Sequence, residues 1–255
     1  MFKSRFEKAG TPRHGTAVIR TLAALLAAIV LSAFAAVPAA GQSESRLSAR
    51  SRIINVAVIG DSLANDLGQG MEALYARSGR VRVIKHTRFA TGLVRDDYFD
   101  WNKSVDNFLD HRRPDVILVV IGGNDRQTIR ERGRRYDPDT RSWRKEYEQR
   151  VASFMAELKK SHAKVYWVGL PAVRSPSMTR SFKIMNGIYR RQAVRHKFKY
   201  VSIWDNFLGS DGGYTSFGMS LSGVKRQLRK NDGMHFTDDG KLRLAARISK
   251  AIGLR

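Results

Sequence analysis

Asp115-Val116-Ile117-Leu118-Val119-Val120-Ile121-Gly122-Gly123-Asn124-Asp125 is the stretch on which the fold turns. Its six apolar residues in a row read as a strand buried on both faces, as a central parallel strand covered by helices must be. Upstream, Ile53-Ile54-Asn55-Val56-Ala57-Val58-Ile59 is a second buried strand and ends at Gly60. Leu67, Met71 and Leu74 then recur at helical spacing as far as Arg77, and Ser78-Gly79 stops that helix. Val81 to Ile84 reads as a shorter strand. Trp101, Val105, Phe108 and Leu109 line one face of a helix that ends before Pro114. Downstream, a polar insertion leads into an amphipathic helix marked by Tyr147, Val151, Phe154, Met155 and Leu158. Lys164 to Gly169 is a fourth strand, Met185, Ile188, Tyr189 and Ala193 mark another helix, and Tyr200 to Ile203 is a fifth strand. Thr237 caps a last helix, with Asp238 and Asp239 in its first turn and Leu242, Ala245, Ile248 and Ile252 facing inward. Five strands alternating with helices, without internal repeat, predict one doubly wound α/β domain with a mainly parallel sheet. In such a sheet, function gathers at the carboxyl edge.

The 255 residues are enough to bury a full core, and 42% apolar with 27% charged residues excludes a disordered chain. Cysteine is absent, which excludes a disulfide scaffold, a thiolate nucleophile and Cys-ligated metal sites. Residues 1–42 have the form of a secretory signal: Lys3, Arg5, Lys8, Arg13 and Arg20 precede an uncharged run from Leu22 to Ala40. An uncleaved membrane anchor is the alternative, because about 19 apolar residues can span a bilayer. Either way the rest of the chain, a linker over 43–52 and a domain over 53–255, is expected outside the cytoplasm. Charge is the unusual feature, with 46 basic against 23 acidic residues, or +23. Without the leader 41 face 22, still +19. An exported chain of this charge meets anionic envelope polymers far more than nucleic acid, and no nucleic-acid-binding motif is present.

Three short segments carry chemistry. Gly60-Asp61-Ser62-Leu63 follows the first strand and opens a helix, where a serine N–H can face a developing oxyanion. A plain helix cap accounts for the same residues equally well. Gly122-Gly123-Asn124-Asp125 follows the central strand, where an asparagine amide can donate to an oxyanion, or the segment is an ordinary turn. Asp232-Gly233-Met234-His235 precedes the last helix, and a carboxylate three residues before an imidazole can orient the ring and stabilise its cation. Asn231-Asp232-Gly233 is also simply a good turn. All three together, beside the ends of the α/β layers, supply nucleophile, oxyanion donor, carboxylate and base. Ala64 stands where a G-x-S-x-G elbow needs its second glycine, so the α/β-hydrolase elbow is excluded.

On these segments the chain resembles the SGNH, or GDSL, superfamily of esterases and acyl hydrolases, over about residues 53–252. The resemblance implies a flavodoxin-like three-layer fold with no metal or organic cofactor. It also implies Ser62 as nucleophile, Asp232 and His235 as its partners, and Asn124 as an oxyanion donor beside the Ser62 N–H. The remaining donor matches Gly92 in Ala90-Thr91-Gly92-Leu93, a segment that departs from the commoner Asn-x-Gly form. Asp61 and Asp125 are read as structural, capping helices and shaping the two loops. The expected reaction is two-step acyl transfer through an acyl-serine.

Beyond these blocks, Arg126, Trp143 and Arg174 are the candidate substrate contacts: an aromatic platform for a sugar and arginines for acidic groups. A solvated charged insertion explains residues 126–145 as well. Lys225, Arg226, Arg229 and Lys230, just before the Asp–His block, add to the positive field. His86, His111, His162 and His196 lack partners at ligand spacing. The favoured function is an exported esterase acting on acyl esters, O-acetyl first, of an anionic envelope or extracellular polysaccharide. A lipid esterase or lysophospholipase, a glycan O-acyltransferase and a catalytically idle glycan-binding protein are the alternatives. Membrane association is expected only through an uncleaved N-terminal segment. The sequence carries no signal for oligomeric state.

Overall fold

Residues 52–254 are described by a computed structural model, so the leader and all of the linker except Arg52 lie outside the described residues. The elements run β1 (Ile54–Gly60), α1 (Ser62–Tyr75), β2 (Val81–Thr87), α2 (Trp101–His111), β3 (Val116–Val120), β4 (Ile129–Glu131) and β5 (Arg134–Tyr136). They continue with α3 (Arg141–Lys159), β6 (Lys164–Val168), α4 (Pro176–Arg195), β7 (Lys199–Val201), β8 (Phe217–Met219), β9 (Lys225–Gln227) and α5 (Asp238–Ile252).

Five strands form a parallel sheet in the order β2-β1-β3-β6-β7, between α1 and α5 packed together and α2, α3 and α4 packed side by side. Counting sheet strands alone, the order is 2-1-3-4-5, which reverses between β1 and β3. That reversal opens a crevice at the carboxyl ends of these two strands. β3 is enclosed along its whole length and β1 from Val56 onward, and Val56 to Ile59 and Ile117 to Val119 expose no surface. Their continuous apolar runs follow from having helices on both faces.

The chain leaves β1 through Gly60, whose φ of +140° and close approach to the Val120 carbonyl no side chain tolerates. A Cβ built there would lie 1.8 Å from that oxygen. Each of α1, α2, α3, α4 and α5 starts at a side-chain cap, respectively Asp61, Asp100, Thr140, Ser175 and Thr237.

Three details differ from the sequence-based expectation. The insertion after β3 folds as the β4–β5 hairpin, and the segment before α5 holds a second hairpin, β8–β9. Three-residue strands are too short to show a period. In α5 the buried leucine is Leu244, with Ala245 and Ile248, while Leu242 is only half-buried.

Candidate active site

Ser62 is the first residue of α1 and lies almost fully enclosed at the carboxyl end of β1. Its Oγ stands 2.8 Å from His235 Nε2, across 173 positions of sequence. His235 Nδ1 stands 2.7 Å from Asp232 Oδ2, so serine, imidazole and carboxylate form one hydrogen-bonded line. The other carboxylate oxygen, Asp232 Oδ1, accepts from the Met234 and His235 N–H groups at 2.8 and 3.0 Å. Partial burial pushes the Asp232 carboxyl up, but these N–H groups and the imidazole outweigh it and hold it down at about 2. A carboxylate so held keeps Nδ1 protonated and leaves Nε2 as an acceptor for the serine proton.

Asn124 follows β3 across the crevice. One of its Nδ2 hydrogens goes to the Thr91 carbonyl at 2.9 Å, and an amide carries a second. Gly92, next in chain to Thr91, is buried. Among the described residues, the N–H groups of Ser62 and Gly92 donate to no protein acceptor. The four segments singled out in the sequence therefore meet at the ends of β1, β2 and β3 and before α5.

Two buried aspartates hold the loops in register. Asp61 Oδ1 caps α1 through the Leu63 N–H, while Oδ2 accepts from Gly122 and Gly123 at 2.9 and 2.7 Å. Burial pushes its carboxyl up to about 6 against the pull of those three donors. Asp125 caps no helix: its oxygens accept from Leu93 and Val94, each at 3.0 Å, and from the Tyr147 hydroxyl at 2.8 Å. It thus braces the loop that contains Gly92.

Residues 55–251 match the family described as protein of unknown function, DUF459. The chain belongs to the DUF459 family. No curated protein matches it. Among solved structures, this DUF459 chain is similar to LAE5, an alpha/beta hydrolase enzyme from the metagenome of Lake Arreo, Spain. There the identity is 17%, over 80% of this chain and 97% of that one, with a TM-score of 0.57. It is similar to the psychrotrophic esterase EstA from Pseudoalteromonas sp., inhibited by monoethylphosphonate: 15% identity, 78% and 96% coverage, TM-score 0.54. A catalytic mutant of Axe2, an acetylxylan esterase from Geobacillus stearothermophilus, gives 19% identity, 80% and 96% coverage and a TM-score of 0.54. At these identities the shared property is the fold.

The substrate contacts expected from the DUF459 sequence fare unequally. Trp143 is not an exposed platform: it is wholly buried in α3, stacked on Tyr147 at 4.6 Å, with its Nε1 donating to the Gln127 carbonyl. Arg126 is tied to Ser181 Oγ at 3.0 Å and faces Asp139 at 3.5 Å. Arg174 is exposed and donates to the Asn231 carbonyl at 2.6 Å, beside the Asp232 turn. Arg229 does not belong to the exposed positive field. It is fully buried and donates to the Ala172 and Met234 carbonyls at 2.9 and 2.6 Å, under the turn that carries His235. Burial lowers its guanidinium to about 10, so it stays charged at neutral pH. Asp66, also buried, receives the Phe236 N–H at 3.0 Å and ties α1 to the same turn. Among the described residues, no group of three or more His, Asp or Glu could hold a metal ion.

Arg150 is a further support that the sequence did not reveal. From α3 it donates to the Leu93 carbonyl at 3.2 Å and pairs with Asp96 at 2.7 Å and Glu131 at 2.9 Å. The 93–94 segment is thus held by its N–H groups from Asp125 and by its carbonyls from Arg150. Arg150→Met leaves Asp96 and Glu131 half in water, which softens the cost of an unpaired charge to about 2–3 kcal/mol. Thermal unfolding should show Tm lower by roughly 5–10 °C. Turnover of a soluble ester should fall by up to about 10²-fold through the displaced Gly92 loop. A lower Tm with unchanged kcat would restrict Arg150 to stability.

Proposed function

We propose that this protein is an exported serine ester hydrolase of SGNH/GDSL type that removes acyl groups, O-acetyl first, from an anionic envelope or extracellular polysaccharide. The observation that carries the proposal is the unbroken line from Ser62 Oγ through His235 to Asp232, with links of 2.8 and 2.7 Å. In the proposed cycle, Nε2 of His235 takes the Ser62 proton as Oγ attacks the ester carbonyl. The Ser62 and Gly92 N–H groups and the Asn124 amide receive the negative charge of the tetrahedral oxygen. His235 passes its proton to the departing alcohol, leaving an acyl-serine. Water, deprotonated by the same imidazole, then attacks the acyl carbon, and His235 returns that proton to Ser62 Oγ as the acid leaves.

Several features support the polymer substrate. Asp232 and His235 retain about 48% and 27% side-chain exposure, so the site is shallow enough for an ester borne on a chain. Arg174 stands exposed at its edge, in a protein of net charge +23. Axe2, whose fold is shared, is an acetylxylan esterase. Among the described residues no helix is long and apolar enough to cross a membrane; export itself rests on the form of residues 1–42.

A phosphonate is the apt probe, since EstA is inhibited by one. The whole protein, treated with a fluorophosphonate and digested, should carry the adduct on the peptide containing Ser62. Acetate should then be released from O-acetylated anionic glycans faster than long-chain acids are released from lipid esters. A folded protein that takes no label, yet binds anionic glycan, would replace the enzyme with a binding protein.

A further inference from the structure

Eight large apolar side chains are strongly exposed among the described residues, and four of them fall within eight positions: Phe217, Met219, Leu221 and Val224. Each is 46 to 53% exposed. They belong to the β8–β9 hairpin and its tip, where Ser220 N bonds to Val224 O at 2.8 Å. Side chains alternate across a strand, so Phe217 and Met219 share one face and Gly218 takes the other. The Gly218 face is turned to the protein, for a Cβ there would lie 2.7 Å from Leu228 and 3.1 Å from Arg243. Phe217 and Met219 therefore face away from the core. Their cross-strand partners are Gln227 and Lys225, which share that outward face.

Charge in this segment has one sign. From Gly212 to Asn231 there are four basic residues and no acidic one. Arg229 is buried, while Lys225, Arg226 and Lys230 are exposed. Arg243 fixes the ribbon to α5 by donating to the Met219 carbonyl at 2.6 Å, so the apolar tip is presented on a held element.

We propose that the β8–β9 hairpin is a membrane-docking element that inserts Leu221, Val224, Met219 and Phe217 into the interface of an anionic lipid bilayer, with Lys225 and Lys230 at its headgroups. An apolar tip beside cations matches an anionic lipid interface in both respects. A polyanionic glycan answers only the cations. A second copy would oppose Lys225 and Lys230 with a surface of the same sign. This contact belongs to the domain itself, separate from the apolar segment at 22–40, and it does not depend on the esterase reading. Asp232 lies five residues beyond the end of β9, so docking would carry the Ser62 site to the membrane surface.

The absence of cysteine makes a local test possible on the full chain. Leu221→Cys, labelled with an environment-sensitive fluorophore, reads the tip however the rest of the protein is held. Arg112→Cys, exposed just past the end of α2, is the control. With phosphatidylglycerol-rich vesicles, emission at 221 should shift to the blue and be quenched by nitroxide-labelled acyl chains, while emission at 112 should not change. Replacing Lys225 and Lys230 by Gln should weaken vesicle binding at the tip on the order of 25-fold, at roughly fivefold per cation. The proposal falls if the tip stays unquenched, or if pure phosphatidylcholine gives the same response. A blue shift that grows with protein concentration in the absence of lipid would assign the face to a second copy instead.

Discussion

Ser62→Ala is expected to lower kcat on an ester substrate by about 10⁶-fold, and Asp232→Asn by about 10⁴-fold, with both proteins folded. These magnitudes are those measured for known serine hydrolases. The local geometry says why they should transfer. Alanine at 62 removes the proposed attacking atom and leaves α1 intact, because its cap is Asp61. Asparagine at 232 keeps an oxygen for the Met234 and His235 N–H groups, so the turn survives. Its amide then faces Nδ1 as a donor and favours the tautomer protonated on Nε2, which cannot take the serine proton. Steady-state kinetics with circular dichroism checks both. Equal kcat in Asp232→Asn and parent would remove Asp232 from the mechanism. The pH dependence follows with a definite sign. Asp232 is held near 2, below the ordinary carboxylate value of 3.8, so its pairing contributes stability in full above 3.8. That contribution is lost as pH falls through about 2. The carboxylate is therefore ionised throughout the neutral range, and activity lost on mild acidification must come from another group.

Gly60→Ala is expected to cost at least about 4 kcal/mol, or to prevent folding. At φ +140° an alanine is strained wherever it is placed, and here its methyl would stand 1.8 Å from the Val120 carbonyl oxygen. That oxygen accepts the Asp61 N–H at 3.2 Å, so relief requires β1 and β3 to part where Ser62 and Asn124 are positioned. A melting curve should show Tm lower by on the order of 10 °C or more. A variant melting within a degree or two of the parent would mean that the turn can reorganise at little cost.

The sequence alone determined the elements whose burial pattern repeats along the chain. β1 and β3 are continuous apolar runs because helices cover both faces, and α1, α2, α3 and α4 show their inward stripes at helical spacing. Ser62, Asn124 and the Asp232–His235 pair were legible because glycine turns at strand ends and a helix cap mark them locally. What only the tertiary structure decided depends on partners distant in sequence. His235 meets Ser62 across 173 residues, and Asp125 braces Leu93 and Val94 across more than thirty. Trp143 could be a sugar platform or a core residue by its own letters, and only its enclosure against Tyr147 places it in the core. Arg229 stood among four basic residues that look alike in sequence. Its burial follows from two carbonyls, Ala172 and Met234, that no local pattern points to. Periodicity records which face a residue turns to its neighbours in the chain, whereas a bridging polar group is defined by the two ends it joins.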